Sequence, residues 1–171
     1  MIKKIISGGQ TGVDRAALDV AFELGMPCGG WCPKGRKAED GAIDSHFPLQ
    51  ETESEEYPVR TERNVLEADG TLILTHGKPT GGTAFTIKMA EKHKKPYLVI
   101  DLSRNMDSTE VVTWIKAQGI AVLNVAGPRE SKCPGIHGRA VNFLREVFNA
   151  QAETGGKGHA RRTCPKGNSG L

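Results

Sequence analysis

Short apolar runs in this chain end repeatedly on glycines and open into stretches of helical periodicity. Ile2–Ile6 stops at Ser7-Gly8-Gly9, and Val13, Ala17, Leu18, Ala21 and Leu24 then recur at helical spacing. Gly70–Thr75 is a run of β-branched and apolar residues, and Pro79-Thr80-Gly81-Gly82-Thr83 leads from it into a helix over 84–94. A strand over 96–102, a helix over 108–118, a strand over 120–125 and a closing helix over 136–150 continue the order. Strands that alternate with helices imply a parallel sheet, because each parallel crossover needs a connection long enough to cover a face. The expected fold is therefore α/β, with a parallel sheet of five or six strands flanked by helices. The strands over 2–6 and 70–75 are expected to be neighbours, so that their two glycine loops face one pocket.

Between these units, 27–31 reads as a second strand with Cys28, Gly30 and Cys32 on one face. A long polar stretch over 33–58 follows, within which 47–52 suggests a short edge strand. A helix over 60–68 has Thr61 as its expected cap. The stretch 33–58 exceeds an ordinary connection and should carry structure or function of its own. One domain over 1–150 is expected, followed over 151–171 by a disordered, basic, glycine-rich tail.

Charge narrows the partners. The formal net charge is +3, but Lys157, Arg161, Arg162 and Lys166 in the tail face only Glu153, so the folded body is close to neutral. With aromatics at 5%, neither a basic face nor stacking residues point to nucleic acid. The apolar run at the amino terminus is too short for an export signal or a membrane span. Cys28, Cys32, Cys133 and Cys164 are then expected to be reduced thiols in the cytoplasm. Cys28 and Cys32 with His46, Cys133 and His137 lack the second tight ligand pair of a zinc site, so no metal site is expected. Cys32, at the end of its strand, is expected either to pack or to approach the site.

In a parallel α/β sheet, loops at the carboxyl ends of the strands share one edge, where ligands bind. Three loops there carry unusual chemistry: Ser7-Gly8-Gly9-Gln10-Thr11-Gly12 with Asp14 and Arg15; Thr80-Gly81-Gly82-Thr83; and Gly127 with Arg129, Glu130 and Ser131. Glycines let backbone amides approach an oxyanion, and helix starts add free N–H donors and partial positive charge. Arg15 and Arg129 are expected to pair with phosphate oxygens, and Lys34 and Arg36 of the long stretch to complete the site. Neither the G-x-G-x-x-G fingerprint with its acidic partner nor G-x-x-x-x-G-K-[ST] is present, which removes support for routine NAD binding and ATP hydrolysis.

These motifs resemble the putative molybdenum cofactor carrier family. The likeness rests on 7–19, on Gly30-Trp31-Cys32-Pro33-Lys34-Gly35-Arg36, on Ala38-Glu39-Asp40-Gly41, on Arg60-Thr61-Glu62-Arg63-Asn64-Val65, on Gly81-Gly82-Thr83 and on 124–131. It implies a Rossmann-like, three-layer fold related to the lysine-decarboxylase-like, or cytokinin-activating, nucleotide-binding proteins. It also implies molybdenum cofactor (molybdopterin), or another phosphorylated ligand, as the small-molecule partner, and related folds imply a homo-oligomer.

The hydrolytic relatives carry P-G-G-x-G-T-x-x-E, whose Glu belongs to their site. Thr86 falls at that position here. A hydroxyl does not replace a carboxylate as a general base near neutral pH, so binding is expected without that hydrolysis. The alternatives are a nucleotide-processing enzyme that draws on Asp14, Glu39, Asp40 or Glu62, and a nucleotide-sensing domain.

Overall fold

The computed structural model describes residues 1–104 and 107–155. In chain order the elements are β1 (Lys4–Ile6), α1 (Val13–Glu23), β2 (Cys28–Gly29), β3 (Trp31–Cys32), a 3-10 turn (Lys34–Arg36), β4 (Lys37–Ala38), β5 (Gly41–Ala42) and β6 (Gln50–Glu51). Then follow α2 (Tyr57–Glu67), β7 (Gly70–Thr75), α3 (Gly81–Lys92), β8 (Tyr97–Asp101), α4 (Ser108–Gln118), β9 (Val122–Ala126) and α5 (Ile136–Gly155).

A five-stranded sheet in the order β2-β1-β9-β7-β8 forms the middle layer, and every pairing in it is parallel. Ile5, Leu72, Leu74, Ile100, Leu123 and Val125 turn one face toward α1, α4 and α5, where they meet Val20, Ile115, Leu144 and Phe148 in the main core. On the other face α2 and α3 pack through Val65, Met89 and Ala90. The Rossmann-like, three-layer expectation is met.

The strand order departs from expectation. β1 and β7 were expected side by side, but β9 lies between them, with Leu123 opposite Ile5 on one side and Gly70 on the other. β9 has Leu123 to Ala126 buried, so it belongs at the sheet centre, where helices cover both faces. Counted from β9 as the first strand, the sheet reads 3-2-1-4-5, the order of half a doubly wound fold. The far end of α5 reaches the start of β1, where the Ile2 N–H donates to Gln151 Oε1 at 3.2 Å. A link from α5 to β1 would make an ordinary crossover, so the topology is that of a circularly permuted chain. In this order the direction of winding reverses between β9 and β7.

Other boundaries shift for local reasons. Gly30, at φ 122°, breaks the expected second strand, and β3 pairs with β6 in a separate small sheet. A Cβ at Gly30 would fall 2.3 Å from Ser7 O, so only glycine lets this backbone pass the first loop. Thr61 lies inside α2 and donates back to Tyr57 O at 3.0 Å, with Pro58 in the first turn; it is not the cap. The expected tail begins too early: 151–155 continue α5, and Gln151 is buried. Residues 156–171 lie outside the described residues. Among the described residues no helix is long and apolar enough to cross a membrane.

Candidate functional site

The first glycine loop is closed by the protein itself. Gly12 caps α1 at φ 77°, and a Cβ there would lie 2.3 Å from Pro128 O. That approach lets the Val13 N–H donate to Pro128 O at 3.2 Å, so the third loop fills part of the anion position expected at α1. Glu39, from the β4–β5 turn, supplies a carboxylate at the same junction. It accepts from the Thr11 hydroxyl, the Ser131 hydroxyl and the Ser131 N–H, and Arg129 Nη1 stands 3.8 Å away. Partial burial pushes the Glu39 carboxyl up, but the hydrogen bonds from Ser131 and Thr11 together outweigh it and hold it below the usual glutamate range.

The open site lies between the β9 and β7 loops, at the reversal of winding, where α/β folds bind ligands. The cleft there has a volume of about 800 Å³. One wall is the start of α3. Thr80 is its extended cap residue, no side chain caps the helix, and the first amides of a helix have no partner within it. Cβ atoms at Gly81 or Gly82 would meet nothing within 4 Å, so this end faces open space. Arg129 and Lys132 of the β9 loop, Lys78 of the β7 loop and Arg60 of α2 also line the cleft. Tyr57 sits at the start of α2 under three cations: Arg129 Cζ at 5.0 Å, Lys37 Nζ at 5.4 Å and Arg60 Cζ at 5.8 Å from the ring centroid.

Asp14 is the carboxylate among the cleft's lining residues. It is 2% exposed, and its Oδ2 accepts from Arg60 Nη1 at 3.0 Å. Burial pushes its pKa above the usual aspartate value, and Arg60 with the Gln10 N–H only partly opposes this. Gln10 is 5% exposed; its Oε1 accepts from the Thr11 and Glu39 N–H groups at 3.0 and 2.9 Å, which settles the orientation of its amide. Among the described residues, two buried side-chain nitrogens lack a protein partner, Gln10 Nε2 and Arg60 Nε. Both belong to residues lining this cleft. Native folds rarely leave buried donors unpaired, and a buried water or another acceptor from outside the chain would satisfy each of them.

The expected site residues divide. Gln10, Asp14, Thr80, Gly81, Gly82, Thr83, Gly127 and Arg129 line the cleft. Ser7, Gly8 and Gly9 shape the loop beneath: Ser7 Oγ donates to Asp14 O at 3.0 Å, and Gly8 leaves room for Arg60. Thr11, Gly12, Arg15 and Glu130 line a separate groove of about 430 Å³ beside Asp19 and His137. Arg15 is engaged there by Gly9 O at 3.0 Å and Asp40 at 3.2 Å, and the Glu130 carboxylate accepts from the Gly135 and His137 amides before and within α5. Ser131 holds Glu39. Lys34 and Arg36 do not reach the cleft; Arg36 donates to the carbonyls of Ile43, Asp44, Phe47 and Leu49 and so clamps the long segment. Cys32 packs against Leu18 and Ile43 in a small core, whereas Cys133 lines the cleft.

Sequence reasoning missed Tyr57, Lys78, Lys132 and Cys133. Lys78 precedes the second loop and Lys132 and Cys133 follow the third, so reading each loop from its strand to its helix would have found them. Tyr57 arrives only through the packing of α2.

A family model described as the circularly permutated YpsA SLOG family matches residues 5–148. The chain belongs to that family. The permutation in the family's description accords with the 3-2-1-4-5 order counted from β9. Within the solved structures, a "putative molybdenum carrier protein" from Syntrophus aciditrophicus SB, determined at 1.45 Å, matches with 48% identity and a TM-score of 0.82. The match covers 86% of this chain and 95% of that one. Comparison with curated proteins finds no match. The family resemblance of the sequence motifs is borne out.

Proposed function

We propose that the chain binds a small, phosphorylated anion in the β9–β7 cleft, that molybdenum cofactor is its cargo, and that it carries this cargo without hydrolysing it. The uncapped start of α3, with open space around Gly81 and Gly82 on the cleft, carries the reading. Arg129, Lys78, Lys132 and the open α3 start supply the charge and amides that suit a terminal phosphate. Charge-assisted hydrogen bonds contribute about 1.5–3 kcal/mol each, so four at the upper end, about 12 kcal/mol, leave the roughly 8 kcal/mol of a micromolar complex after an association cost of about 4 kcal/mol. The name of the Syntrophus protein supports molybdenum as the cargo class.

Thr86 supports carriage over catalysis. It lines the cleft where the hydrolytic relatives place Glu, and its hydroxyl donates to Gly82 O at 3.0 Å. Of the other acids considered, Glu39 is held by Ser131 and Thr11, Asp40 faces Arg15 in the other groove, and Glu62 pairs with Lys92 and His93. Asp14 is the group on which a hydrolase reading would rest, since it lines the cleft and is raised by burial.

The test pairs calorimetric titration with molybdopterin and a base-release assay on nucleoside monophosphates. Micromolar binding with no base release is expected. In Gly82→Val a branched side chain stands over the amides in open space, so the variant should fold with unchanged circular dichroism and bind at least about tenfold more weakly. Base release without cofactor affinity would replace the carrier with an enzyme, and full affinity in folded Gly82→Val would move the site elsewhere.

A further inference from the structure

The hydrogen-bonding capacity left over at the inner wall of the cleft differs in kind from that at its mouth. At the mouth, Lys78, Lys132, Arg129 and the α3 amides only donate. At the inner wall, the buried Asp14 and Gln10 with Arg60 hold acceptors and donors together. Asp14 has about four lone-pair positions, and its partners are Arg60 Nη1 and the Gln10 N–H, which leaves two acceptor positions. Beside them are Gln10 Nε2 and Arg60 Nε, both without partners. A phosphate placed there would satisfy the donors but would face the Asp14 carboxylate at close range. Tyr57, Pro58 and Phe85 line the same cleft and offer apolar surface to a flat ring.

We infer that the inner wall, Asp14 with Gln10 and Arg60, reads the edge of a 2-amino-4-oxo-pyrimidine ring, the unit that pterins and guanine share, while the mouth holds the phosphate. This rests on the binding reading above. The ring's amino N–H and adjacent ring N–H donate to the two open positions of Asp14, and its carbonyl oxygen accepts from Gln10 Nε2 or Arg60 Nε. An adenine edge offers one N–H donor direction beside one ring nitrogen and leaves one Asp14 position unfilled. A hypoxanthine edge keeps the carbonyl and ring N–H but lacks the amino group. One missing hydrogen bond in a buried polar site lowers affinity by about tenfold or more.

The experiment measures equilibrium binding of the intact protein to guanosine, inosine and adenosine monophosphates, a pterin monophosphate and inorganic phosphate. The expected order places the guanine or the pterin compound first, inosine about tenfold weaker, adenosine weaker again, and phosphate weakest but measurable. Preference for pterin over guanine, or the reverse, identifies the source of the ring, and either supports the inference. Asp14→Asn should erase the preference for the 2-amino group while keeping phosphate binding. Gln10→Met provides a second variant, which should weaken all carbonyl-bearing rings and leave phosphate unchanged. Equal affinity for the adenosine, inosine and guanosine compounds overturns the ring-edge inference and leaves the anion reading standing. Failure of every phosphate-bearing probe, inorganic phosphate included, overturns the anion reading and the inference with it.

Discussion

Replacing Arg60 by Met tests whether the ion pair beneath the cleft is a structural necessity of the first loop. Arg60 Nη1 lies 3.0 Å from Asp14 Oδ2, with side chains 12% and 3% exposed. Methionine keeps most of the apolar stem and removes the charge, so Asp14 is left buried with only the Gln10 N–H. Breaking a buried pair from one side costs about 3–5 kcal/mol; the residual exposure of Arg60 places this variant at about 3 kcal/mol near neutral pH. For a chain of this length that is a fall in Tm of about 6–12 °C. The pH dependence has a definite sign. Burial already raises the Asp14 pKa in the folded protein, and loss of Arg60 raises it further, so the folded variant binds a proton that the unfolded chain releases above the ordinary aspartate value. Its stability therefore rises as pH falls through that window, and the deficit against wild type shrinks toward pH 5. Arg60→Met with Asp14→Asn should recover most of the loss, because no unpaired charge remains. Urea unfolding followed through Trp31 and Trp114 at pH 5 and pH 7 measures all three chains. A loss below about 0.5 kcal/mol, or one independent of pH, would refute the argument.

Gly127→Ala places a Cβ 2.2 Å from Leu74 O and 2.6 Å from Val13 Cγ2, where β9, β7 and α1 meet. Thermal unfolding should show a loss of about 1–3 kcal/mol, while Gly82→Ala, with open space around it, stays near wild type. Asp101 binds the Gly77 N–H at 2.9 Å and the Ser103 N–H and hydroxyl, and these hold its pKa down to about 2. Its hold on the β7 loop is complete above the ordinary aspartate pKa and is lost as pH falls toward about 2. Asp101→Ala should speed hydrogen exchange at the Gly77 amide near neutral pH, and unchanged exchange would show that the loop is held by other contacts.

The alternation of strands and helices was legible because the periods 2 and 3.6 are local properties of the chain, visible at 70–75 and in Val13, Ala17, Leu18 and Ala21. The glycine loops were legible for a similar reason, since positive φ at Gly9 and Gly12 and the open amides at Gly81 and Gly82 need no distant partner to suggest them. Thr86 could be placed on the cleft from its position one turn into α3.

What no local rule contains is which loops meet. β9, the last strand among the described residues, enters between β1 and β7 because its buried, mostly apolar residues need cover on both faces. That insertion brings Pro128 and Glu130 onto the first loop and occupies α1's amides from within. It also sets Arg129 and Lys132 on the same cleft as the start of α3. Arg15 and Arg36 carry the charge expected of anion ligands, but carbonyls and a carboxylate within the fold engage them first. Arg60 and Tyr57 gain their place from the packing of α2. The sequence by itself determined the layered α/β architecture and the chemistry available at one edge of the sheet. Tertiary structure alone decided which of those groups stay open to a ligand, because hydrogen-bond satisfaction is settled by neighbours brought together from distant parts of the chain.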